Sequence, residues 1–161
     1  MIANCRTLDD RIPGCQFISA ITGAENTYFE RAFEQMGCSN AEQRNAIPNT
    51  EATDGFLNLM KDVASSGNLS EMLAVLVVCE WSYGTWGELV VADTKRDDFV
   101  CYEWVDLHSG ESFQSVVAYL RGLLDKEEEF LKNEEKERVK ARFLETISLE
   151  KKFFDDAYIK A

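Results

Sequence analysis

Leu69–Ala92, LSEMLAVLVVCEWSYGTWGELVVA, decides the fold of this chain. Met72, Leu73, Leu76, Val77, Cys79, Glu80, Tyr83 and Trp86 recur at steps of three and four, the spacing that lines one side of an α-helix. Ala74, Val75, Val78 and Trp81 make the other sides apolar too, so the segment has no long water-facing side. A helix hydrophobic nearly all round is a central one, covered by neighbours on several faces. Asn68 offers an N-cap and Glu71 follows three residues on, close to a capping box. Cys79, Glu80 and Tyr83 stand out, because packing a core helix requires none of them.

Working outward, the chain continues to read as helices. Residues 1–13 are polar and unpatterned, and Pro13-Gly14 is a break signal, so an irregular N-terminal segment is expected there. Phe17 to Met36 follows helical spacing and ends at Gly37, a C′ glycine. A short helix capped by Ser39-Asn40 stops before Pro48, and another starts at Asn49-Thr50-Glu51, carrying Phe56, Leu57, Leu59, Met60 and Val63. Beyond the central helix come a polar loop at residues 93–98, a short helical segment leading to His108, and a helix carrying Phe113 to Leu124. A last helix is expected from about Lys126 to Tyr158, with positions 139, 143, 147, 150, 154 and 158 as its inward stripe. No stretch alternates like a strand. The class is all-α, a helical bundle around the central helix, with residues 14–161 as one domain.

Composition narrows the function classes. The chain has 161 residues, 45% of them hydrophobic, and a net charge of −12, which argues against nucleic acid because phosphate binding needs clustered Lys and Arg. Basic residues cluster only in the mixed-sign run Lys126–Arg142, a solvated helix face with i,i+4 pairs such as Glu128–Lys132. Five cysteines (Cys5, Cys15, Cys38, Cys79 and Cys101) form no C-x-x-C pair, and His108 is the single histidine. Neither a disulfide framework nor a metal site is expected from them. The N-terminus lacks a signal-peptide pattern and the longest apolar run, Met72 to Cys79, is too short to span a bilayer. A cytoplasmic protein is expected, with no membrane or nucleic-acid partner.

Three groups carry candidate chemistry. Cys79 is by type a small buried hydrophobe, but Tyr83 lies one turn further along the same face. Glu150 falls on the inward stripe of the last helix. Buried there, it must be paired, hydrogen-bonded or protonated, and a raised pKa suits a carboxyl to acid–base work; at the stripe's edge, it would simply reach solvent. Cys79, Tyr83 and such a carboxylate together make a nucleophile, a hydroxyl and a proton shuttle, with Glu80 as an alternative carboxylate. His108, at the end of a short helix, reads as a cap or a satisfied surface group. The aromatics Trp81, Trp86, Trp104, Phe153 and Phe154 suit a core, or walls that stack on a flat heteroaromatic ligand.

Three blocks in order then carry a resemblance. SSGNLSEMLAVLVVCEWSYGTWGE, YEWVDLHSGESF and ISLEKKFFDDAY resemble core segments of the TenA/thiaminase II proteins, over about Gly23 to Tyr158. The resemblance implies a haem-oxygenase-like helical bundle and a hydrolase of thiamin salvage. Such proteins release hydroxymethylpyrimidine from thiamin or its aminomethylpyrimidine breakdown products, without metal or cofactor and as homo-oligomers. It gives Cys79 the role of nucleophile towards the pyrimidine ring and Glu150 that of hydrogen-bonding carboxylate and proton shuttle. Tyr83 becomes a substrate or thiol contact and Phe153 a ring-stacking wall. Phe56 and His108 stand where relatives often place tyrosines, so a hydroxyl is lost at Phe56 while His108 can still donate a hydrogen bond. Relatives carry further helices ahead of the segment matching Glu25, with an active-site aspartate and tyrosine. Residues 1–13 match nothing there, so an N-terminally truncated member is expected. A catalytically degenerate module that binds a pyrimidine or a partner protein is the alternative.

Overall fold

The computed structural model describes residues 1–160, and these are helical nearly throughout, with no strand among them. After a 3₁₀ turn at Ile2–Asn4 come α1 (Leu8–Ala20), a π-helical turn (Ile21–Glu25) and α2 (Asn26–Gln35). Then follow α3 (Ala41–Asn45), α4 (Glu51–Ser66), α5 (Leu69–Val90), α6 (Phe99–Leu107), α7 (Gly110–Glu128) and α8 (Asn133–Lys160).

The central helix starts where its cap signal lies. Asn68 accepts the backbone N–H of Glu71 at 3.0 Å, after Gly67 has closed α4 in the left-handed region. The first half of α5 is buried all round, from Leu69 to Val75 and from Val77 to Cys79 with only Leu76 half-buried. On one side Leu73 and Val77 join Leu120 and Leu123 of α7 and Phe17 of α1. On another, Met72, Val75 and Cys79 meet Leu59 and Val63 of α4, with Leu149 of α8 against them. Burying side chains of this size stabilises the fold by about 1.5–3 kcal/mol each, before the cost of ordering them. The second half of α5 departs from the expectation of a helix without a water-facing side: Trp81, Trp86 and Leu89 are exposed. There, close contact with α7 and the turn before it replaces cover on every side.

Glu71 is the exception inside the buried half. Its carboxylate, 6% exposed, takes Arg138 Nε at 3.4 Å and Arg142 Nε at 3.3 Å, both from α8. Arg142 also reaches Asp62 on α4, so one guanidinium ties three helices together. Removing Arg142 leaves the buried Glu71 carboxylate with Arg138 as its remaining partner, so its charge is less well compensated. Arg142→Met is therefore expected to cost about 2 kcal/mol in a urea melt. A cost under about 0.5 kcal/mol would mark the contact as an ordinary surface pair.

Four expectations are corrected. Residues 1–13 are largely helical rather than irregular. Thr7 caps α1 through the Asp10 N–H at 3.1 Å, and Pro13 sits inside the helix. Tertiary anchors compensate for the weak pattern: Arg6 pairs with Glu127 at 2.7 Å and Tyr119 donates to the Asp10 carbonyl at 2.6 Å. The helix expected from Phe17 to Met36 is split by the π-turn, which shifts the phase of its apolar stripe. Phe17 is buried on α1 and Tyr28 and Ala32 are buried on α2, while Ile18, Ile21 and Phe29 are left exposed. The last helix does not run through from Lys126: it breaks at residues 129–132, where Glu135 accepts the Lys132 N–H at 2.9 Å. Glu128 accordingly pairs with Lys136 across the break, at 2.8 Å, and not with Lys132. Finally, the inward face of α8 is centred on Thr146 and Glu150 with Leu149 beside them, whereas Ile147 and Tyr158 of the expected stripe are exposed.

Candidate active site

Cys79 and Glu150 come together between α5 and α8. Both are buried, and their side chains are close enough to shift one another's ionisation. Burial, reinforced by the neighbouring Glu150, pushes the Cys79 thiol far above its ordinary range. Burial likewise raises the Glu150 carboxyl, which the adjacent thiol partly offsets. No hydrogen bond of good geometry satisfies Glu150 Oε2, and among the described side chains it is the buried polar atom left without a partner. The solvent-reaching alternative for Glu150 is thereby excluded. A neutral thiol beside an underused carboxyl is a donor and an acceptor between which a proton can pass.

Next to this pair opens a cavity of about 940 Å³. Tyr83, Glu80 and Trp86 of α5 line it, as do Phe153 and Phe154 of α8, Trp104 of α6, His108 just beyond, and Glu25 of the π-turn. The aromatics form a continuous wall. Tyr83 lies edge-on to Trp104 at 5.5 Å, tilted to His108 at 5.5 Å and to Phe154 at 5.8 Å. Phe153 meets the Phe56 ring edge-on at 6.5 Å, so these two are neighbours. Phe56, Cys79 and Glu150 are not among the lining side chains; they stand directly behind them.

His108 is not a surface group. It is 6% exposed and its ring stacks on Trp104 at 4.1 Å between centroids. Nδ1 lies 2.7 Å from the Trp104 carbonyl, which can only accept, so Nδ1 carries a proton. Burial holds the imidazole below its usual pKa, leaving Nε2 as an acceptor near neutral pH. Two residues of α5 hold the turn that carries this ring. A Cβ on Gly87 would stand 2.3 Å from the His108 carbonyl oxygen, and Glu88 accepts the Gly110 N–H at 2.6 Å.

Glu25 is a site residue that periodicity did not single out for chemistry, and Glu80 ranked there only as an alternative to Glu150. Glu25 is brought round to the cavity by the π-turn, which a pattern of apolar residues does not announce. Glu80 is pushed up to about 7, first by burial and then by the charges of Glu25 and Glu150. Its folded pKa thus exceeds its unfolded one. The stabilising contribution is complete below about 4.5 and is lost as pH rises through about 7. Glu25, Glu150, Cys79 and Tyr83 are its titratable neighbours. Glu80→Gln should leave stability unchanged at pH 4 and raise it by about 2 kcal/mol at pH 8, measured by urea unfolding at both values. Equal differences at the two pH values would refute this.

The fold and site define an all-helical bundle whose central helix sets a thiol against a carboxyl behind an acidic, aromatic-walled cavity. The chain belongs to the TENA/THI-4/PQQC family, whose sequence profile matches residues 1–160, the segment before Pro13 included. It is 31% identical over 129 residues to an aminopyrimidine aminohydrolase of Halalkalibacterium halodurans, a match covering 80% of this chain and 58% of that protein. With an aminopyrimidine aminohydrolase of Helicobacter pylori it shares 25% identity over 142 residues, 88% of this chain and 65% of that protein. The chain thus spans about six tenths of the length of these relatives. Among the described residues, no helix is long and apolar enough to cross a membrane.

Proposed function

We propose that this chain is a hydrolase of the aminopyrimidine aminohydrolase, or thiaminase II, type, acting in thiamin salvage. The observation that carries the reading is the buried Cys79–Glu150 pair, with one carboxyl oxygen unpartnered, set directly behind an aromatic-walled cavity. The names of the two relatives point the same way. In this reading the pyrimidine ring stacks on Phe153 and contacts Tyr83 and His108, with Phe56 backing Phe153. Cys79 sulfur forms a bond to the ring as its proton moves to Glu150, because a thiol so costly to ionise needs a base within reach. Glu150 then returns the proton to the departing amine, water takes the amine's place, and the sulfur leaves as a thiol. Products are ammonia and the hydroxymethylpyrimidine. No metal or redox partner enters this balance.

The test is release of ammonia from 4-amino-5-aminomethyl-2-methylpyrimidine by the purified chain. Catalysed release above the uncatalysed rate supports the reading, and its absence from folded protein rejects it. A second reading, a pyrimidine-binding module without turnover, is favoured by one observation: Cys79 and Glu150 stand behind the cavity lining rather than on it. Thermal stabilisation by hydroxymethylpyrimidine without ammonia release would select it.

A further inference from the structure

Polar contacts join α5 to α8 at two levels, and the levels stand in step. At the first, Glu71 accepts Arg142 Nε at 3.3 Å. At the second, Cys79 stands beside Glu150. The step from 71 to 79 on α5 equals the step from 142 to 150 on α8. Eight residues are about 12 Å of helix, so the two helices run the same way and hold one register between the levels. Tyr83 and Phe154, one turn further along each helix, keep it as ring neighbours at 5.8 Å. Val75 and Thr146 sit at the midpoints, both buried. The Thr146 hydroxyl donates to the Arg142 carbonyl at 2.7 Å within its own helix, and so ties nothing to α5. Leu149 packs against the cluster that holds Val75 and Cys79, an apolar contact that is favourable but not directional. Among the described residues, the hydrogen bonds between side chains of α5 and α8 all end on Glu71, from Arg138 at 3.4 Å and from Arg142.

We propose that Glu71 and Arg142 are positioning residues, whose pair fixes the slide of α8 along α5 so that the Glu150 carboxyl stands at the Cys79 thiol. Glu150 Oε2 has no partner of its own, so the carboxyl stands where its helix is held. A buried charged pair is a poor device for stability and a good one for selecting a single register. Arg142 also reaches Asp62, which ties the clamp to α4. Neither Glu71 nor Arg142 is among the side chains lining the cavity, and both act through Glu150. The consequence for rate rests on the aminopyrimidine reading; the register does not.

The test is ammonia release from 4-amino-5-aminomethyl-2-methylpyrimidine by the full chain carrying Arg142→Met, alone and combined with Glu150→Gln. Arg6→Met, which breaks the Arg6–Glu127 pair on α7, is the control for lost stability. All variants are assayed where circular dichroism shows them folded. Arg142→Met is expected to lower kcat about tenfold while KM changes less than about twofold. Added to Glu150→Gln it should cost less than about twofold more, and Arg6→Met should leave kcat unchanged. If Arg142→Met does not fold, Glu71→Gln, which keeps side-chain size, takes its place with the same expected pattern. An unchanged kcat, the same loss in both backgrounds, or an equal loss in Arg6→Met would overturn the clamp and leave the aminopyrimidine reading intact. If the unaltered chain releases no ammonia, that reading falls, and NMR of isotope-labelled Glu carboxyl carbons decides the clamp without turnover. The Glu150 signal, identified by its loss in Glu150→Gln, should move on Cys79→Ala when Arg142 is present and stay in place when it is Met. Movement in both backgrounds, or in neither, would overturn the clamp.

Discussion

Cys79→Ala is expected to lower ammonia release from the aminomethylpyrimidine by at least about a thousandfold while the protein stays folded. The thiol is 8% exposed and packs with Leu59, Val63, Met72 and Val75, so its loss opens only a small void. That void costs about 1 kcal/mol of stability, far less than the loss in rate represents. Glu150→Gln separates the two halves of the proton transfer. It preserves size and hydrogen-bonding capacity but cannot take the proton from Cys79, and a loss of about a hundredfold is expected. The pair acts as a unit, so the double variant should be little worse than Cys79→Ala alone. Rates within tenfold of wild type in Cys79→Ala would show that the thiol is only a core residue.

The second large effect is structural. Gly87→Ala is expected to destabilise the chain by about 3 kcal/mol, lowering Tm by roughly 10 °C. An added Cβ would stand 2.3 Å from the His108 carbonyl oxygen and 2.9 Å from its carbonyl carbon, and both are backbone atoms. No side chain can rotate away there; the turn must move off α5. Because Glu88 holds Gly110 one residue along, that movement also disturbs the start of α7. Gly122→Ala is the matched control. It lies inside α7, its Cβ would meet nothing within 4 Å, and it should be neutral or stabilising by up to about 1 kcal/mol. Thermal melts of the two variants decide the matter. A drop under about 2 °C for Gly87→Ala would show that the turn yields readily.

Sequence alone disclosed the central helix, its Asn68 cap and the cap at Thr50. These depend on local signals: apolar spacing, a capping side chain, a glycine in the left-handed region. What escaped depends on contacts between segments. The helix at Leu8–Ala20 is anchored by residues more than a hundred positions away, which no window of sequence contains. The face of α8 was misplaced by part of a turn, because Phe143, Ile147 and Phe154 suggest a stripe that Arg142 and Thr146 in fact occupy. His108 looked like a helix end and is one, but Trp104 and Phe113 cover it.

The π-turn at Ile21–Glu25 constrains which changes of length this chain tolerates. Its extra residue advances everything after it by about 100° of helical rotation relative to everything before. Deleting one residue there would restore ordinary winding and improve local geometry, yet it would turn either Phe17 out of the core or Glu25 away from the cavity. Substitutions within Thr22–Ala24, all exposed and off the wall of the cavity, should by contrast pass almost unnoticed. The segment is therefore permissive in composition and strict in count, the opposite of a surface loop.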